Sequence, residues 1–385
     1  MKNVEKILDK LVGIDSIFPN EGRVGEFIED YLQKRGFKTF REYLSEGRFN
    51  LFGERGEGSK AILFYGHIDT VPAYGNWSAD PMKLTDRGER LCGLGSSDMK
   101  GGIAAILDAV SRSERGRVKV LFCVDEENIS AGAWKAVKEE KAWFDDVNII
   151  ISAESGDSER SEGGANVITL GRRGRCVISI EVHGMSAHGA KPAMGLSAIE
   201  EAAKIVLNVH RINLRRHAEL GSESAFIREI SGASTSLSIP DKAYVELDMH
   251  LVPPGTVEEA ERRVMEFIEI LKRENILNKE TVVGVRAKAR ENPYLEPYST
   301  DASDDAVKGI IQLIEEFGGK PEFNYGSSVA DENVFANELG MPVITIGPSG
   351  GNNHSGDEWI SRKSLEEIAT LYLRIIENSK AILGS

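Results

Sequence analysis

Five strand or loop ends in this chain present groups that can bind a cation or move a proton. Residues 61–65 are apolar and lead into Gly66, His67, Ile68 and Asp69. A glycine-rich stretch, residues 93–102, carries one carboxylate, Asp98, just ahead of a helical pattern. Residues 118–124 end in Asp125, Glu126 and Glu127, residues 147–152 lead to Glu154, and residues 342–346 lead through Gly350 and Gly351 to His354. Singly, each has an ordinary explanation: Asp98 as a helix N-cap, the three adjacent acids as a solvated turn, His67 as a structural histidine. Together they share one placement, beyond the ends of strands, where open α/β sheets bind ligands. Carboxylates gathered there repel one another unless cations or protons compensate.

Two imidazoles and several carboxylates, with no thiolate, suit zinc, cobalt or manganese better than a structural Cys-type zinc site. Two ions roughly 3.5–4 Å apart can share one carboxylate, and they lower the pKa of a bound water towards about 7. The resulting metal-bound hydroxide is the expected nucleophile, and its proton needs an acceptor. Neighbouring side chains on an extended segment diverge, so of Glu126 and Glu127 one can ligate while the other faces the water as general base. His67 can hold an ion through one ring nitrogen while Asp69 orients the ring. A two-metal phosphoesterase would use similar carboxylates, but the glycine-rich stretch lacks the Gly-Lys-Ser/Thr ending of a phosphate cradle.

These groups need a rigid frame. Val4, Ile7, Leu8 and Leu11 form one helical stripe; Val24, Phe27, Ile28, Tyr31 and Leu32 form a second that stops at Gly36. Strands at 61–65, 118–124 and 147–152 alternate with helices near 102–110 and 131–140, an α/β pattern with both sheet faces covered. After about Arg172 the texture changes to strand 176–183, helix 196–212, a strictly alternating strand 244–251, a helix opened by a Thr256/Glu259 capping box, and strand 281–289. That order suits a compact α+β insert. From Asp301 the first texture returns, with a helix to 317, a helix near 332–339, a buried strand at 342–346 and a long last helix. The expected fold is an α/β, mixed-sheet catalytic domain, residues 1–174 and 291–385, interrupted by a smaller α+β domain, residues 175–290.

Composition narrows the function classes. With 385 residues, 41% of them apolar, the chain can build a substantial core. A formal charge of −14 disfavours the basic surface that nucleic acid needs. Residues 1–12 do not read as a leader, and no run of about eighteen uncharged apolar residues occurs. The expectations are a cytoplasmic protein that binds neither nucleic acid nor membrane. Cys92, Cys123 and Cys176 are too few and too scattered for a disulfide framework, and read as buried thiols. His183, His210, His217 and Arg228 read as ordinary surface or helix residues, and Tyr244, Glu246, Asp248 and His250 as one solvated strand face.

At these residues the chain resembles the M20 metallopeptidase family, with its acetylornithine deacetylase, succinyl-diaminopimelate desuccinylase and carboxypeptidase branches. The resemblance spans nearly the whole length. It rests on Gly-His-Ile-Asp-Thr-Val-Pro from Gly66, Gly-Ser-Ser-Asp-Met-Lys-Gly-Gly from Gly95, the acids from Asp125, and the segment from Gly350 to Glu358. It implies that His67, Asp98 and Glu154 hold one zinc and that Asp98, Glu127 and His354 hold the other, with Asp98 bridging. Glu126 then becomes the base and Asp69 the residue orienting His67. The insert becomes a ferredoxin-like lid and dimerisation domain whose His188 reaches a neighbouring subunit's active site to stabilise the oxyanion. The implied activity is hydrolysis of the amide bond of a small N-acyl amino acid by a homodimer, with zinc ahead of cobalt or manganese. A di- or carboxypeptidase, or a silent relative that only binds amino-acid derivatives, is the alternative. Three positions depart from the family pattern: Leu237 replaces an asparagine, His250 an arginine, and Asn333 the arginine that holds a substrate carboxylate.

Overall fold

The computed structural model describes residues 1–155, 164–234 and 236–384. Contacts divide the chain into two compact units, Met1–Arg172 with Ser299–Ser385, and Arg173–Tyr298.

The first unit is built on one large mixed sheet. Its strands run in the order Lys38–Ser45, Arg48–Arg55, Val118–Cys123, Ala61–His67, Val147–Ser152, Val343–Thr345, Val167–Arg172, and Glu322–Gly326 also pairs with the last of these. Ala61–His67 lies between parallel neighbours on both sides, and all seven of its residues are buried. This explains the unbroken apolar run, because a central parallel strand is covered on both faces. Side chains alternate between the faces. Ile62, Phe64, Val120, Phe122, Ile149 and Ile151 join a core with Leu8, Ile103, Leu107, Ile368 and Tyr372, from the helices Asn3–Val12, Gly101–Arg112 and Arg362–Glu377. On the opposite face Tyr65 meets Phe335 with ring centroids 4.9 Å apart, and Phe52 and Phe144 continue that aromatic layer. Each large apolar side chain so buried contributes about 1.5–3 kcal/mol, against about 0–1 kcal/mol for an exposed ion pair. The layered core, not surface charge, therefore holds the frame.

A small antiparallel sheet in the same unit, ordered Gly350–Gly351, Trp359–Ser361, Arg90–Cys92, Thr85–Arg87, ties the segment carrying His354 to the glycine-rich stretch carrying Asp98. Among the described residues no helix is long and apolar enough to cross a membrane.

The second unit places its strands as Ser224–Ser231, Lys242–Leu251, Gly174–His183, Val282–Ala287, all antiparallel, with helices Ala198–Asn208 and Val257–Arg273 supplying its core. Along the chain the order is βαββαβ, the ferredoxin-like arrangement. Ser197 caps the first helix through the Glu200 amide, and Thr256 and Glu259 form the expected reciprocal capping box. The edge strand Ser224–Ser231 is absent from the sequence reading. A register shift between Ile227 and Glu229 breaks its alternation, and Phe226 and Ile230 face outward. The hairpin of Lys38–Ser45 and Arg48–Arg55 and the strands Val167–Arg172 and Glu322–Gly326 are further additions.

Backbone meets backbone where the helix Gly101–Arg112 reaches the end of the Val147–Ser152 strand. A Cβ on Gly102 would lie 2.0 Å from the Ala153 carbonyl oxygen. Gly102→Ala is therefore expected to push the helix off the strand that leads to Glu154, costing about 1–3 kcal/mol or more. A thermal melt checks this; an unchanged melting temperature would mean that the helix has slack.

Candidate metal centre and active site

Each acidic or imidazole group singled out in the first unit stands where a local feature of the chain puts it. His67 is the last residue of a fully buried strand. Its Nδ1 faces the Asp69 carbonyl oxygen at 3.1 Å and the Asp69 carboxylate at 3.4 Å, which turns Nε2 the other way. Asp98 sits in a non-helical turn, φ −123° and ψ 91°, between Gly95 and the helix Gly101–Arg112. Gly95 has φ +73°, and a Cβ there would meet the Thr70 side chain at 2.6 Å, so the turn requires glycine. Glu154 follows the Val147–Ser152 strand. His354 occupies a loop where its own φ is +56° and those of Asn352 and Asp357 are +61° and +55°, conformations that persist only where surrounding contacts over-determine them.

The three adjacent acids separate completely. Asp125 is pinned by Arg48 at 2.8 Å and by the Ala131 amide at 3.2 Å, and contributes nothing to the cluster. Glu127 turns to His354, 2.9 Å from Oε2 to Nε2, while its amide donates to the Asp69 carboxylate at 3.0 Å. Glu126 lines the pocket beside them, together with Asp98, Glu154, Ser155, Arg172, Ser328, Asn353 and His354.

The donor atoms converge on two points. His67 Nε2 lies 3.1 Å from Asp98 Oδ1 and 3.0 Å from Glu154 Oε1. His354 Nε2 lies 3.3 Å from the other Asp98 oxygen, Oδ2. Thus His67, Asp98 and Glu154 form one group and Asp98, Glu127 and His354 another, with ligand atoms inside 4.8 Å in each, and Asp98 offers one oxygen to either. His188 belongs to the second unit, in an exposed loop, where its Nδ1 accepts a hydrogen bond from the Ala190 amide at 3.1 Å.

The electrostatics are those of a crowded acidic site. Burial first, and then the charge of Asp98, push the Glu154 carboxyl up to about 7. Burial also drives Glu126 well above the carboxylate range, with His67 pulling against it and Asp331, Glu127 and Glu154 adding to it. Burial alone would lower His67, yet Glu154, Asp69 and Asp98 raise it well above its ordinary value. Hydrogen bonds to Asp98 and Glu127 push His354 up to about 10. These carboxylates cannot all carry charge unless something positive sits among them, and oxygens facing imidazole nitrogens are donors suited to a divalent ion.

Two residues of this site escaped the sequence reading. Arg172 ends the Val167–Arg172 strand, donates to Ser328 at 3.1 Å and pairs with buried Glu332 at 3.4 Å. The strand-end criterion that marked the acids would have marked it too, had cations been included. Glu358 is buried and accepts from the amides of Gly95, Ser97 and Asp98, a role no local pattern announces. On the second unit's sheet, Glu246 and Asp248 are buried beneath Lys288 and Arg175 rather than solvated, a correction that follows from the long cationic side chains closing over them. Cys92, Cys123 and Cys176 are buried free thiols, as expected.

A sequence profile of peptidase family M20/M25/M40 matches residues 63–378. The succinyl-diaminopimelate desuccinylase of a Nitratiruptor species is 25% identical over 378 residues, covering 97% of this chain and 98% of that protein. Aminopeptidase PepT from Bacillus cereus ATCC 10987 superposes with a TM-score of 0.78 at 21% identity, covering 97% of each chain. A dinuclear metal-binding peptidase of the M20 family from Bacillus subtilis superposes with a TM-score of 0.73 at 14% identity, covering 98% of this chain and 97% of that one. With a profile match across most of its length and a strand-end cluster of this composition, the chain belongs to peptidase family M20/M25/M40 and is a hydrolase of amide or peptide bonds.

Proposed function

We propose that the protein is a two-metal amidohydrolase that releases the amino acid from a small N-acyl amino acid. The observation that carries this reading is the division of Asp98, one carboxylate oxygen facing each group of donors, with Glu126 in the same pocket. His67, Asp98 and Glu154 would hold one divalent ion and Asp98, Glu127 and His354 the other, zinc ahead of cobalt or manganese. Such ions supply Lewis acidity, polarising the scissile carbonyl and acidifying water. Asp69 fixes the His67 ring so that Nε2 is the ligating nitrogen. Glu126, raised in basicity by burial, takes a proton from the attacking water and returns it to the leaving nitrogen.

Relatives named as succinyl-diaminopimelate desuccinylases support an acylated amino acid as substrate. The pocket argues for fewer acidic groups than that substrate carries. Among the described lining residues Arg172 is the one permanent cation, and Glu332 already offsets part of its charge. Asn333, standing where an arginine was expected, turns its carbonyl oxygen to the Ala330 amide at 3.0 Å. A ligand with a single carboxylate matches this balance, which also keeps a dipeptide as the second reading.

His188 is proposed as the oxyanion donor, delivered by a second copy of the chain acting through the ferredoxin-like unit. Because Nδ1 accepts from Ala190, the proton resides on Nε2, and an exposed N–H is what a developing oxyanion needs.

Three outcomes test this reading. Glu126→Gln should keep two ions by metal analysis while losing about 10²- to 10⁴-fold in kcat across acyl amino acids and dipeptides supplied with zinc, cobalt or manganese; normal turnover would remove Glu126 from its role. Mixing inactive Glu126→Gln with inactive His188→Ala should restore activity that neither has alone, since a mixed dimer holds one complete site. No recovery after subunit exchange would sink the shared site. Finally, His67 and His354 carry protons at neutral pH when no ion is present, because their carboxylate partners raise them. Ligation must displace those protons, so zinc titrated into weakly buffered protein should acidify it, and apparent affinity should climb with pH from about 6 to about 9. A flat profile would contradict the imidazole ligands.

A further inference from the structure

Glu358 lies four residues beyond His354, immediately before the Trp359–Ser361 strand, and is only 2% exposed. One of its oxygens accepts from the Gly95 amide at 2.7 Å; the other accepts from Ser97 at 2.8 Å and Asp98 at 2.9 Å. These amides precede the helix Gly101–Arg112, in a turn whose backbone is not helical at Asp98. A helix leaves its leading amides without partners inside it, and here one carboxylate gathers three from the approach. The backbone adds a fourth tie, since the Gly93 amide donates to the Glu358 carbonyl at 3.0 Å. There is little slack around it: a Cβ on Gly101 would stand 2.1 Å from the Ile360 side chain, and one on Gly350 would stand 2.3 Å from Ser97 Oγ.

We propose that Glu358 is a positioning residue for the two-metal centre, holding the Asp98 turn so that one Asp98 oxygen meets each ion. Three hydrogen bonds to consecutive parts of one turn fix both the position and the rotation of that turn. A bridging carboxylate tolerates error in neither, because a small rotation that improves one oxygen's contact spoils the other's. The same residue belongs to the segment that carries His354. The bridging ligand and a ligand of the second ion are thereby locked to one another through Glu358, across more than 250 residues of sequence. A neutral glutamine cannot reproduce the arrangement. It has one accepting oxygen, and its NH₂ would face a backbone N–H.

The inference rests on the two-metal reading, and the test separates the two. Wild type, Glu358→Gln and Glu358→Asp would be freed of metal, checked by thermal melting, and titrated with cobalt, following its visible absorption and its competition with a chelator. Wild type should bind two cobalt ions. Glu358→Gln should fold but bind about 10- to 100-fold more weakly, with an altered cobalt spectrum, and when zinc-loaded should show a lower kcat at unchanged KM. Glu358→Asp, which keeps both accepting oxygens one methylene short, should fall between. If wild type binds no cobalt, the two-metal reading itself fails. If wild type binds two ions and Glu358→Gln matches its affinity and spectrum, only the positioning role is overturned. Should Glu358→Gln not fold, Glu358→Asp decides alone, and wild-type affinity and spectrum in that variant would overturn the proposal.

Discussion

Repulsion among carboxylates crowded into one partly buried pocket is the constraint from which this structure follows. Two like charges 4 Å apart cost about 4 kcal/mol at an effective dielectric near 20, and a whole domain is stable by only about 5–15 kcal/mol. Asp98, Glu127, Glu154 and Glu126 line one pocket, so their full ionisation with no compensating charge would consume much of that margin. The chain answers with imidazoles that hold protons strongly and with carboxyls whose own protons are retained towards neutral pH. Divalent ions would answer the same need with more charge in less space, which makes the cluster an attractive place for them.

Such a cluster has to be imposed by something stiffer than its members. The central strand is buried end to end, its faces are covered by separate apolar layers, and the helix that follows Asp98 approaches within backbone contact of the strand end at Ala153. Gly347 approaches the next residue still more closely, since a Cβ there would sit 1.8 Å from the Glu154 carbonyl oxygen. Glycines at these points let the rigid elements touch, so that the strand ends converge instead of splaying. The energy that opposes repulsion therefore comes from the core, and glycine contacts transmit it to the site.

This logic explains what could be read from the sequence. Buried parallel strands announce themselves as apolar runs, and polar groups at their ends stand out against them, so Ala61–His67, Val118–Cys123 and Val147–Ser152 were legible together with His67, Glu127 and Glu154. Edge strands were not. Lys38–Ser45 places Phe40 and Tyr43 at exposed positions and Arg41 and Glu42 at covered ones, and Ser224–Ser231 carries a bulge, so neither shows a clean hydrophobic period. Asp125 stood level with its two neighbours in sequence, and only the fold reveals that Arg48, some 77 positions earlier, claims it. Glu358 escaped for the same reason: its importance lies in amides that are distant in sequence. Local pattern records burial and chain direction, whereas long-range pairing of polar groups leaves little trace in it.

The pinning of the 125–127 turn also bears on how strong the proposed base can be. Asp125 is held at φ +74°, between Arg48 and the Ala131 amide, and the Glu127 amide is tied to Asp69, whose carbonyl orients His67. With both flanks fixed, Glu126 has a defined place beside the donors and feels the same field they do. Burial first, and then its acidic neighbours Asp331, Glu127 and Glu154, raise its proton affinity while no ion is present, and added positive charge must lower it again. Base strength and metal occupancy are thus linked through one electrostatic potential. If Glu127 holds an ion and Glu126 is the base, as proposed, the ion's charge would keep Glu126 ionised, so its competence as a base would be conditional on that charge.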